Sequence, residues 1–175
     1  RNLALEWVAY VAGKRESRRL MGDVVLTQND ILRQVAYEDA SVTTSWTIDL
    51  HYPDPKNTRF FSGDEFKAVC NQEEIELYPI PYRCFYSRNV SNLFMAGRNI
   101  SVTHVALGTV RVMRTTAMMG EVVGMAAAVC RRHDVLPRTV YTSYLPELRS
   151  LMQKGCGQQD LPNNQQFNIG RRKHH

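Results

Sequence analysis

Between His104 and Thr116 the chain carries a histidine, two arginines and two adjacent threonines, in the order His104, Arg111, Arg114, Thr115, Thr116. Histidine accepts a proton near neutral pH, and arginine holds a permanent charge that steadies anions. Threonines at the start of a helix lie where free amides and the macrodipole favour a partly negative oxygen. Together these groups suit anionic or electron-accepting chemistry. Taken singly, each has a plainer reading: His104 as a satisfied buried histidine, the arginines as surface ion pairs.

Such side chains need a frame to hold them. Residues 92–128 read as strand, glycine turn, polar loop and helix. Asn92-Leu93-Phe94-Met95-Ala96-Gly97 is a short apolar strand ending in glycine, residues 103–114 form a Gly-containing loop, and a long helix covers about 115–132. That helix sets Ala117, Gly120, Gly124 and Ala128 near one face, where small residues let a neighbour come close. On spacing alone, tight packing against a sheet outweighs a cofactor contact.

Upstream, the pattern predicts an apolar helix end at 3–12 closed by Gly13, a strand at 19–26, and a short helix at 31–36 capped by residues 27–30. A strand at 41–50 follows, then a turn-rich loop at 51–63. Residues 75–86 alternate, with Pro79 and Pro81 favouring an edge. A last helix spans 144–154, stopped by Gly155, and a polar extension follows.

The 175 residues are 43% hydrophobic and 22% charged, enough for the core of about one domain. The formal charge is +5, part of it in the terminal run Arg171-Arg172-Lys173-His174-His175, and no base-reading module accompanies it. Nucleic acid is therefore not an expected partner. Cys70, Cys84, Cys130 and Cys156 are scattered, without a C-x-x-C pair or a histidine at metal-ligand spacing, so isolated thiols and no metal site are expected. A disulfide between two of them stays open. The weakly polar run 117–130 contains Glu121 and is too short to span a bilayer.

Several runs together carry a family likeness. Ile80-Pro81-Tyr82-Arg83, then residues 92–101, then 103–114 and finally Gly120-Glu121 with Gly124 and its alanines closely resemble the C-terminal signature of a family of bacterial FAD-dependent oxidoreductases. Arg18-Arg19, Gly22-Asp23, Leu26-Thr27 and Ile48-Asp49 before His51 are similar to the same family, so the resemblance covers about 14–154. Some relatives carry names taken from polysaccharide breakdown, xanthan lyase among them. A more distant likeness is to the fumarate reductase and aspartate oxidase group.

The resemblance implies an α/β chain (an α+β mixture), the C-terminal portion of an FAD-binding Rossmann-like flavoprotein with part of its substrate domain. Residues 1–86 would be the substrate-domain or cap segment, 87–157 the FAD-binding part and 158–175 a flexible tail. Ala96 and Gly97 would form the turn under the ribityl chain. Thr115 and Thr116 would aim backbone amides at the flavin C2 carbonyl and N1. On the substrate side His104 would accept a proton and Arg111 stabilise an anion. Arg98 stands where the wider group has an acid; it can only donate, to phosphate or a neighbouring carboxylate.

No G-x-G-x-x-G turn occurs in the sequence. The ADP half of FAD is therefore expected to be held by an N-terminal βαβ part of the same protein, an expectation matched by an opening at Arg1 in what reads as mid-helix. Alone, the chain should bind FAD weakly or not at all. The implied reaction is hydride transfer from a small-molecule, carbohydrate-derived substrate to flavin, in a bacterial cytoplasm or periplasm. Two other readings stand beside it: a non-catalytic interaction module that keeps the fold, and a polysaccharide lyase using His104, Tyr82 and Arg111.

Overall fold

The computed structural model describes residues 18–53 and 68–155, with positions 4, 6–8 and 10 near the start. At those early positions the helix expected over 3–12 is not formed, and the rest of it lies outside the described residues, as do the tail at 158–175 and most of the loop expected at 51–63. The chain is an α+β mixture of helices α1 (Gln28–Leu32), α2 (His104–Val110), α3 (Met113–His133) and α4 (Pro137–Lys154) with strands β1 (Ala40–Thr44), β2 (Ile48–Pro53), β3 (Ala68–Glu73) and β4 (Tyr78–Pro81). Antiparallel pairing joins β1 to β4 and, separately, β2 to β3. Parallel pairing among the described residues is confined to a single bridge, Leu26 to Val102.

Local chemistry explains where these elements start and stop. Thr27 caps α1 through a reciprocal box with Asp30, each side chain bonded to the other's backbone amide. The helix thus begins before the expected 31–36 and ends at Leu32. The strand expected over 41–50 is two strands in two sheets, because the Thr44 hydroxyl accepts the Trp46 amide at 3.4 Å and bends the chain between them. Residues 19–26 bend at Asp23 and Val24 and make no ladder: Leu20 and Leu26 donate to the carbonyls of Asn99 and Ser101. Likewise the expected strand at 92–97 is reduced to one bridge between Phe94 and Tyr86.

The core draws on both sides of position 86: Leu26, Val42 and Ile80 pack with Tyr82, Phe85, Met119, Val122 and Leu148. On α3 the buried face is Met118, Met119, Val122, Ala126 and Val129, a 3.6-residue stripe. At roughly 1.5–3 kcal/mol per large apolar side chain buried, this stripe fixes the helix on the core. Ala117, Gly120, Gly124 and Ala128 point the other way and are all exposed, and a Cβ placed on Gly120 or Gly124 would meet nothing within 4 Å. The expected close packing of that stripe is not made by the described residues. Helix α4 starts at Pro137, where a missing N–H costs nothing, and kinks at Tyr144 ahead of Pro146, so the segment expected at 144–154 is its second half.

Two ion pairs tie the layers. Asp39, 1% exposed, accepts the Arg83 amide at 2.8 Å and holds its guanidinium through two further bonds of 3.0 and 2.9 Å. Arg138 forks onto Asp23, which also accepts the Tyr86 hydroxyl at 2.7 Å. Cys70, Cys84 and Cys130 are free thiols. Among the described residues no helix is long and apolar enough to cross a membrane.

Candidate active site

Helix α2 occupies the segment that the sequence presents as a loop. Thr103 caps it, its hydroxyl accepting the Ala106 amide at 3.3 Å, and His104 stands exposed in the first turn. The helix lies directly on β2 at Gly108: a Cβ there would sit 2.9 Å from the Asp49 carbonyl oxygen and 3.0 Å from its nitrogen. Thr109 adds a hydrogen bond of 2.5 Å to the Trp46 carbonyl. Just beyond the helix, Arg111 reaches back to the strand, donating to the Asp49 carbonyl at 2.9 Å with its charge 3.5 Å from carboxylate Oδ2.

Asp49 is the centre of a small cluster. His51 Nε2 lies 3.0 Å from Oδ1 and 3.1 Å from Oδ2, and the Cys70 thiol donates to Oδ1 at 3.4 Å. Desolvation pushes the Asp49 carboxyl up, but hydrogen bonds from His51 and Cys70 outweigh it and hold the group below its usual value. It is ionised at neutral pH and fixes the Arg111 guanidinium. Asp49, His51, His104 and Arg111 line one cleft of ≈ 150 Å³, with Leu50 and Leu107 as its apolar part.

Of the expected site residues, His104 and Arg111 are thus brought together. Ala96, Gly97 and Arg98 do not line this cleft; they form a turn in which Gly97 has φ 97°, a left-handed value suited to glycine, and its amide points at Met119 Sδ of α3 at 3.3 Å. Thr115 and Thr116 do not line it either. The Thr115 hydroxyl is buried and donates to Thr44 on β1 at 3.0 Å.

The Thr116 expectation needs correcting. Helix α3 starts at Met113, so the Thr116 amide already bonds the Val112 carbonyl at 3.0 Å, while Thr115 keeps a first-turn amide with no intrahelical acceptor. Tyr82 is also misplaced for a lyase-type base. It is fully buried, with its hydroxyl donating to the Pro137 carbonyl at 2.8 Å and its acidity suppressed by burial.

Asp49 and His51 stood in the sequence as part of the family likeness but not as site residues. The legible signal was their spacing, since alternate positions of a strand share a face. Cys70 joins them only through the pairing of His51 with Cys70 across the β2–β3 ladder. A family model described as FAD dependent oxidoreductase matches residues 1–152. No match is found among curated proteins or among solved structures.

Proposed function

The chain belongs to the FAD-dependent oxidoreductase family, and we propose that it forms the substrate-side wall of a flavin site, where His104 takes a proton from a small-molecule substrate and Arg111 balances the negative charge that builds up. FAD, when bound, supplies the two-electron acceptor for the hydride that leaves the same substrate. The observation that carries the reading is the convergence of His104 and Arg111 on one cleft from opposite ends of α2. Asp49 acts through Arg111, holding the guanidinium by backbone and carboxylate contacts so that it is in place before substrate arrives.

The residues fit the cofactor as one wall of a site. A cleft of ≈ 150 Å³ is well under the ~300–1,000 Å³ of ordinary ligand pockets. It suits the reacting end of a substrate and does not enclose a tricyclic ring. Ala96, Gly97 and Arg98 would hold the ribityl and phosphate end, and the Thr115 amide in the first turn of α3 would face the electron-rich edge of the ring. The open face of α3 at Gly120 and Gly124 is unobstructed for the lobe that would hold the ADP half, which lies outside this sequence on our reading. The substrate on this reading is a small carbohydrate-derived molecule.

The test is made in flavin-loaded protein. His104→Ala should slow flavin reduction by about 10²–10⁴-fold, the usual worth of a general base, with FAD content unchanged. Loss of FAD would make His104 structural, and an unaltered rate would remove it from the chemistry.

A further inference from the structure

We propose that Asp49, His51 and Cys70 form a binding site for a zinc-class divalent cation on the β2–β3 ladder, beside the flavin-type cleft and independent of flavin. The three donors are a carboxylate oxygen, an imidazole nitrogen and a thiol sulfur, and these atoms lie within 4.8 Å of one another. This mixed set is what a borderline cation selects, whereas calcium and magnesium take oxygen alone.

Two of the three spacings come close to coordination values, and the third lies within 4.8 Å. Metal bonds of about 2.0 Å to nitrogen or oxygen and about 2.3 Å to sulfur, at tetrahedral angles, put ligand atoms roughly 3.3–3.5 Å apart. The contacts from Asp49 Oδ1 are 3.0 Å to His51 Nε2 and 3.4 Å to Cys70 Sγ. Antiparallel register supplies the geometry: His51 and Cys70 are directly paired, and Asp49 lies two positions from His51 on the same face.

Arg111 supports the site. It leans on Oδ2, the oxygen Cys70 does not use, and on the Asp49 carbonyl. Ligating carboxylates are commonly held by an outer donor, and here the Arg111 charge beside Oδ2 leaves Oδ1 to face the ion. In charge, a thiolate and the carboxylate, which is shared with Arg111, face the divalent cation, and the thiol proton passes to solvent as the sulfur–metal bond forms. Three protein ligands leave a fourth position for water or a substrate oxygen, and His51 and Asp49 both line the cleft that holds His104.

The experiment uses the purified chain, reduced, stripped with a chelator and titrated with Co²⁺ and then Zn²⁺. Wild type should give tetrahedral cobalt bands with a thiolate-to-cobalt charge-transfer band, and Zn²⁺ should displace both. Cys70→Ser, at an exposed position where folding is unaffected, should abolish the charge-transfer band. It should also weaken Zn²⁺ binding by about 100-fold or more, since even outer partners cost ~10–100-fold. Cys130→Ser should retain the band. The proposal is overturned if wild type shows no charge-transfer band, if the band survives Cys70→Ser, or if Co²⁺ binds only with oxygen and nitrogen spectra, as through His174 and His175. None of these outcomes bears on flavin reduction by His104, so the two readings fail separately.

Discussion

Arg83 and Arg111 are both basic residues that follow apolar runs, yet the protein uses them differently. Arg83 is spent inside the fold on Asp39 and stacks over Tyr141 with its guanidinium carbon 4.6 Å from the ring centre. Arg111 is anchored at one edge and still borders a cleft. Nothing local in the sequence separates the two, because the deciding carboxylates come from 44 and 62 positions away. The pairing of His104 with Arg111 was legible because both belong to one short segment. At Asp23 the Arg138 hydrogen bond, partly opposed by desolvation and helped by Tyr86, holds the carboxyl below its normal value. A depressed folded value means that its stabilisation is complete above the unfolded value of about 3.9 and is lost as pH falls through the lower folded value. Asp23→Asn should therefore lower Tm at pH 7 and reduce the further fall in Tm on acidification below about pH 4. Thermal melts of the two proteins at a series of pH values would check both parts.

Helix α2 is where element-level reading of the sequence failed. Gly108, Thr109 and Val110 all have weak helix propensity, but residues 106–110 are buried, and packing against β2 outweighs that preference. Gly108 permits the contact by having no side chain where the Asp49 backbone passes. Gly108→Ala should gain up to about 1 kcal/mol in propensity and lose about 1–3 kcal/mol to overpacking. The neighbour is backbone and cannot step aside, so a net loss is expected, with Arg111 drawn off Asp49. A lower denaturant midpoint together with slower flavin reduction would match; an unchanged midpoint would mean that α2 can shift freely. Both Pro137 and Pro146 fit the first turn of a helix, and taking the start near Pro146, as in the expected 144–154, hides the first half of α4. The mixed α+β character was readable from alternating patterns, whereas the split of 41–50 into two sheets depended on the bend between Thr44 and Trp46, which no periodicity marks.

At the scale of the whole molecule, one apolar core links Leu26 to Met152, and α3 gives that core one face while presenting its small residues outward. The exposed stripe could be counted in the sequence, but its direction could not, since spacing alone does not say which side of a helix is covered. Gly124→Leu should raise the stability of this chain by roughly 0.5–1 kcal/mol, because the position is unencumbered and leucine is the better helix former. In flavin-loaded protein the same change should reduce FAD retention. Full retention would mean that neither the cofactor nor its other lobe comes close there. The β2–β3 ladder, by contrast, exposes His51, Val69, Cys70, Asn71 and Gln72, and α2 packs against it at Gly108. Its peptide hydrogens should consequently trade with deuterium through brief local opening, well before those in the middle of α3, which wait for the molecule to unfold as a unit. Any occupant that clamps the two strands would announce itself as slower labelling there and nowhere else.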